Sequence, residues 1–349
     1  MVASISERDI CTLNNGQTLK KYQLTNSLGA QACFYNLGAA WIEFKLAADE
    51  PNLVLGCNTA QAFIEQSAFL GATVGRYANR IAHGQFMLDG ELVQLERNLA
   101  GHHLHGGSTS LAKKIWQSHI ELDAQQIPTL TFHCRSQHGE SGYPGNVDFE
   151  VKIRLTESNC VQFQYSATTD RKTIVNLTNH SYFNLDGHDY GNLDHHAFQI
   201  ESTDVLSTDD LCIPTGEIVN RAESLLDFSQ WRNIKQPLTE LTDPLLKPFQ
   251  GYDHCYCFDS SKRLITMARA KSSRSNRELV CKSDLPGMQF YSANFLQDTA
   301  IDASHRYNRH GAFCFEPGYW INSPNHTHFP QCIIDERNGY SAIIEYSFL

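Results

Sequence analysis

The feature that most constrains the fold is a pair of apolar alternations in the middle of the chain. Residues 147–155 carry an apolar side chain at every odd position and a charged one at every even position. After the polar stretch 156–159, the period of two resumes over residues 161–167. Successive side chains of a strand point to opposite faces, so the pattern predicts two half-buried strands joined by a turn. A sheet with one buried face and one solvent-exposed face is typically antiparallel.

Other segments carry the same extended signature, whereas long amphipathic helical patterns and regular βα alternation are missing. Residues 59–70 predict a short helix, with a loop as the alternative reading, and residues 271–277 predict an exposed hairpin tip. We therefore expect an all-β protein, a large antiparallel β-sandwich that forms one domain over residues 1–349. The further predicted strands lie within residues 17–48, 130–134, 288–291 and 341–348.

Composition narrows the classes of partner. The 349 residues have a formal net charge of -10, which gives no basic footprint for nucleic acid. No apolar run is long enough to span a membrane, and residues 1–8 lack the apolar core of a signal peptide. The 11 cysteines are scattered and lack zinc-finger spacing, so we expect buried, reduced thiols in a cytoplasmic protein.

Residues 178–185 read Thr-Asn-His-Ser-Tyr-Phe-Asn-Leu and concentrate polar groups in a segment of extended character. On a strand, His180, Tyr182 and Asn184 would share one face. A plain core strand would not hold three polar side chains that each need a buried partner. We interpret His180 as a catalytic proton donor in a sugar-sized cleft. The alternative is a buried histidine that is hydrogen-bonded to a carbonyl group.

Two further clusters precede this segment. In residues 71–81, two arginines and an asparagine interrupt small and apolar residues, and a guanidinium there suits sugar hydroxyls or a structural salt bridge. The second cluster, His102-His103-Leu104-His105-Gly106-Gly107, invites a metal hypothesis, but no further metal-ligand pattern accompanies it. We favour a hydroxyl-binding role for His105.

Two carboxylates, Asp253 and Glu316, follow residues 178–185 in the sequence. Asp253 could accept hydrogen bonds from two neighbouring sugar hydroxyls, or cap a loop turn. Glu316 ends an apolar run just before a Pro-Gly turn, where a partly desolvated carboxylate could act as a general base. The alternative for Glu316 is an ordinary glutamate at a strand end.

Together and in this order, the clusters resemble those of the aldose 1-epimerases, or galactose mutarotases, over nearly the whole chain. The resemblance implies a galactose mutarotase-like supersandwich that interconverts the α and β anomers of free hexoses such as galactose and glucose, without cofactor or metal. It makes His180 the general acid and Glu316 the general base. The segments that carry it are 75–81, 104–107, 178–187, 251–254, 323–326 and 340–346. The residues that it assigns to sugar hydroxyls are Asn79, Arg80, His105, Asp253 and Gln289.

This chemistry needs the C1 hydroxyl to lose a proton while the ring oxygen gains one. We expect an ionised Glu316 and a protonated His180 on opposite sides of the sugar, with nearby negative charge raising the pKa of His180 and Arg80 keeping Glu316 ionised. Rival hypotheses are a hexose-6-phosphate 1-epimerase and a non-catalytic sugar-binding protein of the same fold. A glycoside hydrolase would need two flanking carboxylates and leaves His180 without a role. The oligomeric state stays open between monomer and homodimer.

Overall fold

Short strands build almost all of the regular structure in the computed structural model, which describes residues 2–259, 261 and 263–349. The first strands are β1 Ser4–Thr12, β2 Thr18–Thr25, β3 Gln31–Tyr35, β4 Ala40–Lys45, β5 Thr73–Val74, β6 Arg80–Ile81, β7 Gln85–Leu88, β8 Glu91–Gln94, β9 His103–Leu104, β10 Gln117–Leu122, β11 Pro128–Ser136, β12 Val147–Leu155 and β13 Cys160–Thr169. The others are β14 Thr173–Ile174, β15 Thr178–Asn179, β16 His196–Ile200, β17 Asp204–Thr208, β18 Pro214–Asn220, β19 Arg232–Asn233, β20 Asp253–Cys257, β21 Ile265–Ser272, β22 Glu278–Ser283, β23 Gly287–Tyr291, β24 Cys314–Gly318, β25 Ile333–Ile334 and β26 Tyr340–Phe348. The two α-helices are α1 Ala60–Glu65 and α2 Lys235–Glu240. Single 3₁₀ turns cover Ala82–Gly84, Gly107–Thr109, Leu111–Lys113, Glu140–Gly142 and Ser323–Asn325.

The alternating hairpin lies at the centre of the largest sheet. That sheet has nine strands in the order β10-β11-β12-β13-β26-β22-β21-β16-β19. In β12 and β13, Val147 pairs with Thr169 and Leu155 with Val161, which is the antiparallel register that the alternation predicts. The odd-numbered residues of β12 are buried and the even-numbered ones reach solvent. The predicted strands within residues 17–48, 130–134, 288–291 and 341–348 are all confirmed.

The weaker predictions around this sheet also have definite outcomes. Of residues 59–70, only Ala60–Glu65 is helical; the Thr59 hydroxyl caps this helix by accepting from the Ala62 N–H at 3.2 Å. The remaining residues form the loop of the alternative reading. Residues 273–277 connect β21 to β22, so the predicted hairpin tip at 271–277 is confirmed.

Two smaller sheets cover one face of the nine-stranded sheet. A four-stranded sheet, β1-β2-β3-β4, contributes Trp41, whose ring lies 5.7 Å from that of Phe163. A five-stranded sheet, β18-β17-β20-β23-β24, contributes Phe290, whose ring lies 5.0 Å from that of Phe198. Burying each such ring stabilises the fold by about 1.5–3 kcal/mol. Every strand pair in the described part of the chain is antiparallel, so the predicted antiparallel β-sandwich is confirmed.

The five-stranded sheet also turns polar side chains away from the core. In β24, Phe315 packs into the core, so Cys314 and Glu316 point to the opposite face. In β23, Met288 and Phe290 are core residues, so Gln289 shares the face of Glu316, its directly paired neighbour. The first residue of β20, Asp253, reaches the same face. One surface of this sheet thus assembles three candidate residues from three adjacent strands.

All 11 cysteines are free thiols. Eight are buried, as predicted, whereas Cys11, Cys57 and Cys134 are partly exposed, so the prediction of buried thiols is wrong for these three. Among the described residues, no helix has the length and apolar character needed to cross a bilayer.

Candidate functional site

A cleft of about 500 Å³ opens over the polar face of the five-stranded sheet. Its walls come from the loop after α1, the β6 and β9 region, the segment after β15, strands β20 and β24, and the loop at 295–300. The predicted site residues that line it are Asn79, Arg80, His105, His180, Asp253 and Glu316. Six of the seven predicted residues therefore meet in one cavity, although the sequence separates them by up to 237 positions (316 - 79).

Gln289 is the seventh predicted residue and does not line this cleft. It lies in a much smaller cavity behind the cleft wall, which Glu316 and Asn79 also line. Its Nε2 donates to Asp253 Oδ1 at 2.6 Å. The structure therefore places Gln289 behind Asp253, where it holds the carboxylate by a hydrogen bond. Asp253 lines the cleft and Gln289 does not.

His180 is held by its backbone between two neighbouring residues. The strand β15 ends at Asn179, so His180 stands outside it. Its N–H donates to the Ala72 carbonyl at 2.9 Å, and its carbonyl accepts from the Gly71 N–H at 3.0 Å. Gly71 has φ +65°, and a Cβ there would lie 1.8 Å from the Trp41 carbonyl oxygen. Only glycine fits this contact, so Gly71 fixes the position of the histidine backbone.

Aromatic rings hold the His180 imidazole on both sides. Tyr182 stacks on it with 5.1 Å between ring centroids, and Phe69 stacks at 6.1 Å. His105 meets it edge-on at 5.4 Å. Asn184, the third residue of the predicted shared face, is elsewhere: its Nδ2 donates to two backbone carbonyls, each at 2.9 Å. The prediction of one polar strand face is wrong for Asn184: β15 ends at Asn179, and only isolated bridges from Phe183 to Val54 and Phe313 follow it.

His180 and Glu316 are direct neighbours. His180 Nε2 lies 3.6 Å from Glu316 Oε2, and their side chains are only 7% and 5% exposed. Both groups therefore face one cavity, as a shared catalytic role requires. The expectation that they flank the sugar from opposite sides is wrong, because they lie next to each other on one wall of the cleft.

Burial decides the charges of this pair. It lowers the pKa of His180 to about 4, and the negative charge of Asp253 offsets this only in part. Burial also raises the pKa of Glu316 to about 8; Asp253 adds to this increase and Arg80 opposes it. The predicted protonated histidine and ionised glutamate are therefore wrong for the empty cleft. Desolvation outweighs the neighbouring charges, so His180 is neutral and Glu316 is protonated near neutral pH.

Arg80 and Asp253 form the polar wall beside this pair. Arg80 Nη2 lies 3.5 Å from Asp253 Oδ2, and Arg80 Nη1 donates to Asn79 Oδ1 at 3.2 Å. Two buried atoms in this network have no hydrogen-bond partner within the described chain, Arg80 Nε and Gln289 Oε1. Buried polar atoms without partners are costly, and both of these atoms lie inside the wall of the cleft, out of reach of solvent.

His105 and Asn79 support one another through their backbones. The His105 N–H donates to the Asn79 carbonyl at 3.1 Å, and the Asn79 N–H donates to His105 Nδ1 at 3.1 Å. Since Nδ1 accepts, the ring proton of a neutral His105 lies on Nε2. Burial is the main reason that the pKa of His105 lies well below its usual value. His180 and Arg80 lower it further. His105 is thus a neutral hydrogen-bond donor.

The other conspicuous residues of the two early clusters are structural. Arg76 donates to the carbonyls of Ser136, Gln137 and Pro144 at 2.7–3.0 Å and to the Ser136 hydroxyl at 2.9 Å. The structural reading of this arginine holds, but its partners are carbonyl and hydroxyl oxygens in place of a carboxylate. Within the cluster of three histidines, His103 binds the Tyr143 hydroxyl at 2.7 Å through Nε2.

Across the described ranges, one group alone brings together three side chains able to hold a metal ion: His180, Cys314 and Glu316. The histidines at 102, 103 and 105 do not form such a group among those residues. Sequence reasoning missed Phe69 and Cys314 as neighbours of His180, and Tyr291 as a lining residue of the cleft. Only Cys314 carried a signal, since it stands two positions before Glu316 on a predicted strand.

Comparisons with known proteins agree on one fold and one family. The crystal structure of galactose 1-epimerase from Lactobacillus acidophilus NCFM matches with a TM-score of 0.88 at 22% identity, covering 99% of each chain. An aldose epimerase homologue from C. elegans matches with a TM-score of 0.82 at 24% identity, over 100% of this chain and 99% of that one. The fold is therefore that of the galactose mutarotase-like sandwiches, as the sequence predicted.

The family follows from sequence similarity. The family model described as Aldose 1-epimerase matches residues 20–347. The aldose 1-epimerase of Escherichia coli (strain K12) is 32% identical over 343 residues, 96% of each chain. The galactose mutarotase of Bos taurus is 33% identical over 298 residues, covering 85% of this chain and 84% of its own. The chain therefore belongs to the aldose 1-epimerase family and is an isomerase that interconverts hexose anomers.

Proposed function

We propose that the cleft binds free galactose and glucose, and that His180 and Glu316 move the two protons of ring opening and closure. The observation that carries this proposal is the 3.6 Å contact between His180 Nε2 and Glu316 Oε2 on the cleft wall. Opening a cyclic hemiacetal takes a proton from the C1 hydroxyl and gives one to the ring oxygen. Both oxygens are bonded to C1, so two adjacent proton-transfer groups match them.

The pair has the right number of protons for this task. A neutral His180 beside a protonated Glu316 holds one transferable proton, and so does an imidazolium beside a carboxylate. The two forms differ only in where that proton lies. We therefore assign the resting state to the neutral form, and the reacting state to the ion pair formed when sugar hydroxyls replace water around it.

Ring opening then proceeds from the ion pair. Glu316 accepts the C1 hydroxyl proton while His180 donates to the ring oxygen, which breaks the bond between C1 and that oxygen. Rotation about the C1–C2 bond presents the other face of the aldehyde. The C5 hydroxyl closes on it, His180 recovers its proton from that hydroxyl, and Glu316 returns its proton to the new C1 oxygen. Each transfer contributes about 10²–10⁴-fold in rate.

The surrounding polar groups orient the sugar. Asp253 accepts from sugar hydroxyls, with Gln289 holding its Oδ1 and Arg80 facing its Oδ2. The Arg80 guanidinium group and His105 Nε2 donate to hydroxyl oxygens. Asn79 keeps Arg80 in place through its side-chain oxygen. This arrangement offers both donors and acceptors, which pairs of neighbouring hydroxyls require.

A hexose-6-phosphate is the weaker candidate substrate. Among the residues that line the cleft, Arg80 is the single lysine or arginine, and it already faces Asp253. The lining also has four acidic residues, Glu65, Asp253, Asp298 and Glu316, of which Glu316 is protonated in the resting pair. A phosphate dianion would meet this negative surface without a free cation, so neutral sugars are favoured. A purely sugar-binding role would leave the buried acid–base pair without purpose.

Polarimetry tests the proposal directly. Freshly dissolved α-galactose, α-glucose and glucose 6-phosphate are followed with the wild-type protein, His180→Asn and Glu316→Gln. We expect fast anomerisation of the two free hexoses, slow anomerisation of the phosphate, and a loss of about 10²–10⁴-fold in kcat for each variant. Near wild-type turnover in either variant would remove that residue from the mechanism. Binding of galactose without faster anomerisation would identify a sugar-binding protein.

The cellular setting is part of the proposal. Eleven free thiols suit the reducing cytoplasm, where disulfides rarely persist. We expect a monomer or homodimer, since a cleft built entirely within one chain needs no partner subunit to complete it. Light scattering at assay concentration, combined with activity across a dilution series, tests this expectation.

A further inference from the structure

The His180 imidazole meets a different side chain at each of its two nitrogen atoms. Nε2 lies 3.6 Å from Glu316 Oε2, and Nδ1 lies 3.9 Å from Cys314 Sγ. The two ring nitrogens point in divergent directions, so these contacts are made independently of each other. The faces of the ring are occupied by Tyr182 and Phe69, which stack on it. Among the described residues, Cys314 supplies the side chain within hydrogen-bonding distance of Nδ1.

Strand β24 fixes both contacts. Cys314 and Glu316 are two positions apart on it, so both side chains point to the cleft face of the strand. Cys314 is fully buried, and it is paired with Tyr291 of β23 in the antiparallel register. The register that brings the carboxyl group to one nitrogen of the imidazole therefore also brings the thiol to the other.

The proton transfers determine which nitrogen carries the ring proton at rest. In the resting pair, Glu316 is protonated and His180 is neutral. Nε2 can receive the Glu316 proton only if it has a free lone pair, so the single ring proton must lie on Nδ1. Because the ring is buried, an Nδ1–H group without an acceptor would be costly. The Cys314 sulfur is a weak acceptor that lies at this position.

The thiol is a neutral acceptor. Burial keeps the pKa of Cys314 well above its usual value, and Glu316 and Asp253 raise it further, so the sulfur stays protonated near neutral pH. A carboxylate in its place would stabilise the imidazolium and raise the pKa of His180. A neutral sulfur holds the ring and leaves the imidazolium a strong acid. This suits a histidine that gives up its proton and recovers it in every turnover.

We propose, on the basis of the proposed function, that Cys314 is a positioning residue whose Sγ accepts a hydrogen bond from His180 Nδ1–H and thereby keeps the Nε2 lone pair directed at Glu316. The thiol acts through the histidine, and no proton or electron moves to or from the sulfur. Without it, the ring is free to place its proton on Nε2 or to turn away from Glu316, and either change breaks the proton path. A weak hydrogen bond of this kind changes the ratio of the two tautomers by about 2–10-fold.

The first test reads the tautomer and needs no enzymatic activity. The protein is labelled with nitrogen-15 histidine and studied by NMR near neutral pH, because protonated and unprotonated ring nitrogens have well-separated chemical shifts. The His180 signals are identified by their absence in His180→Asn. We expect the ring proton on Nδ1 in the wild-type protein and in Cys281→Ala, and a shift of the tautomer ratio toward Nε2 by at least about twofold in Cys314→Ala.

Cys281 is a matched control for the loss of a buried thiol. It is as fully buried as Cys314, but it lies on β22 and packs in the main core. A ring proton on Nε2 in the wild-type protein would overturn the proposal. An unchanged tautomer ratio in Cys314→Ala would overturn it as well.

The second test separates positioning from simple packing, with galactose anomerisation followed by polarimetry. We expect kcat to fall about 2–10-fold in Cys314→Ala with little change in KM, because the thiol acts on proton transfer through His180. Cys314→Ser leaves nearly the same space but keeps an acceptor for Nδ1–H, so it should recover part of the lost kcat. Cys281→Ala should keep the wild-type kcat.

Equal losses of kcat in Cys314→Ala and Cys314→Ser would show that the side chain only fills space, and would overturn the proposal. An unchanged kcat in Cys314→Ala, or a change confined to KM, would do the same. A wild-type protein that carries the ring proton on Nδ1, with the expected shift in Cys314→Ala, but does not anomerise sugars would refute the proposed function and leave the hydrogen bond to Cys314 standing.

Discussion

Replacing Glu316 by Gln is expected to stabilise the protein while it abolishes most of the activity, and the gain in stability depends on pH. The carboxyl group has a pKa of 4.5 in the unfolded chain and about 8 in the fold. The folded state therefore binds this proton more tightly than the unfolded state does. Stability is greatest below pH 4.5, falls as pH rises, and stops falling once pH passes the folded pKa. A glutamine has no such titration.

The size of the effect follows from these two values. Between them, unfolding releases one proton, so the free energy of unfolding falls by about 1.4 kcal/mol for each pH unit. From pH 6.5 to pH 8 the wild-type protein should lose about 1.5–2 kcal/mol relative to Glu316→Gln. His180 does not confuse this window, because burial lowers its pKa from 6.5 to about 4 and its own loss of stability occurs on acidification below pH 6.5.

Urea unfolding followed by tryptophan fluorescence supplies the measurement, since Trp41, Trp116 and Trp320 are all buried. Both proteins are unfolded at half-unit steps from pH 5 to pH 9, and the difference in free energy is plotted against pH. Glu91→Gln is the matched control: Glu91 is exposed on the β7–β8 hairpin, so its replacement should change stability by less than about 0.5 kcal/mol throughout.

A flat difference between the wild-type protein and Glu316→Gln from pH 6.5 to pH 8 would refute the reasoning. It would mean that Glu316 is already ionised in the fold, and that the neutral resting pair is wrong. A difference that widens in the control variant as well would show that a general effect of net charge is being measured.

Three further predictions concern the same site and its frame. The pH profile of kcat/KM should be bell-shaped, with limbs near pH 4 and pH 8. Activity needs the single proton that the pair of His180 and Glu316 holds between those pH values. A rate that still rises above pH 9 would contradict this prediction. In Asp253→Asn both limbs should move to lower pH, since the negative charge of Asp253 raises the pKa of both groups, and KM for galactose should increase; unchanged limbs would show that Asp253 does not act on the pair. Arg76→Met should destabilise the fold by about 3 kcal/mol in urea unfolding, because the buried carbonyls of Ser136 and Pro144 lose their donor at about 1–3 kcal/mol each and the partly buried carbonyl of Gln137 loses its donor as well. Arg135→Met, which removes an exposed ion pair, should cost at most about 1 kcal/mol.

The sheets were predictable because their signal is local. Alternation along β12 and β13 reports directly which face of each strand is buried, and the turn residues 156–159 fix the pairing. The same logic placed Glu316 on a strand, but its predicted position at the strand end before a Pro-Gly turn is wrong, because β24 continues through Pro317 and Gly318, which pair with β23. It failed for Asn184, because β15 ends at Asn179 and only isolated bridges at Phe183 follow, a change that the residue types of this segment do not indicate.

The charges at the site were not predictable because they depend on distant chain segments. The reaction calls for an imidazolium and a carboxylate, and Asp253 and Arg80 were expected to stabilise the charges of His180 and Glu316. Their protonation is instead set by desolvation, and that requires the rings of Phe69 and Tyr182 to close over the imidazole. The sequence motifs predict which groups meet in the cleft. They do not predict how deeply those groups are buried, because burial depends on the packing of distant segments around the cleft.

Strand β24 carries a further consequence for how the enzyme reaches its active form. Phe315 enters the core and Glu316 enters the cleft, so a slip of one residue against β23 would put a carboxyl group among aromatic rings and a phenyl ring into the sugar site. Such a molecule loses its core packing along with its chemistry. A form of this sheet with the slipped register should therefore be too unstable to accumulate as a compact, inactive species. Refolded protein should regain turnover in step with its native fluorescence.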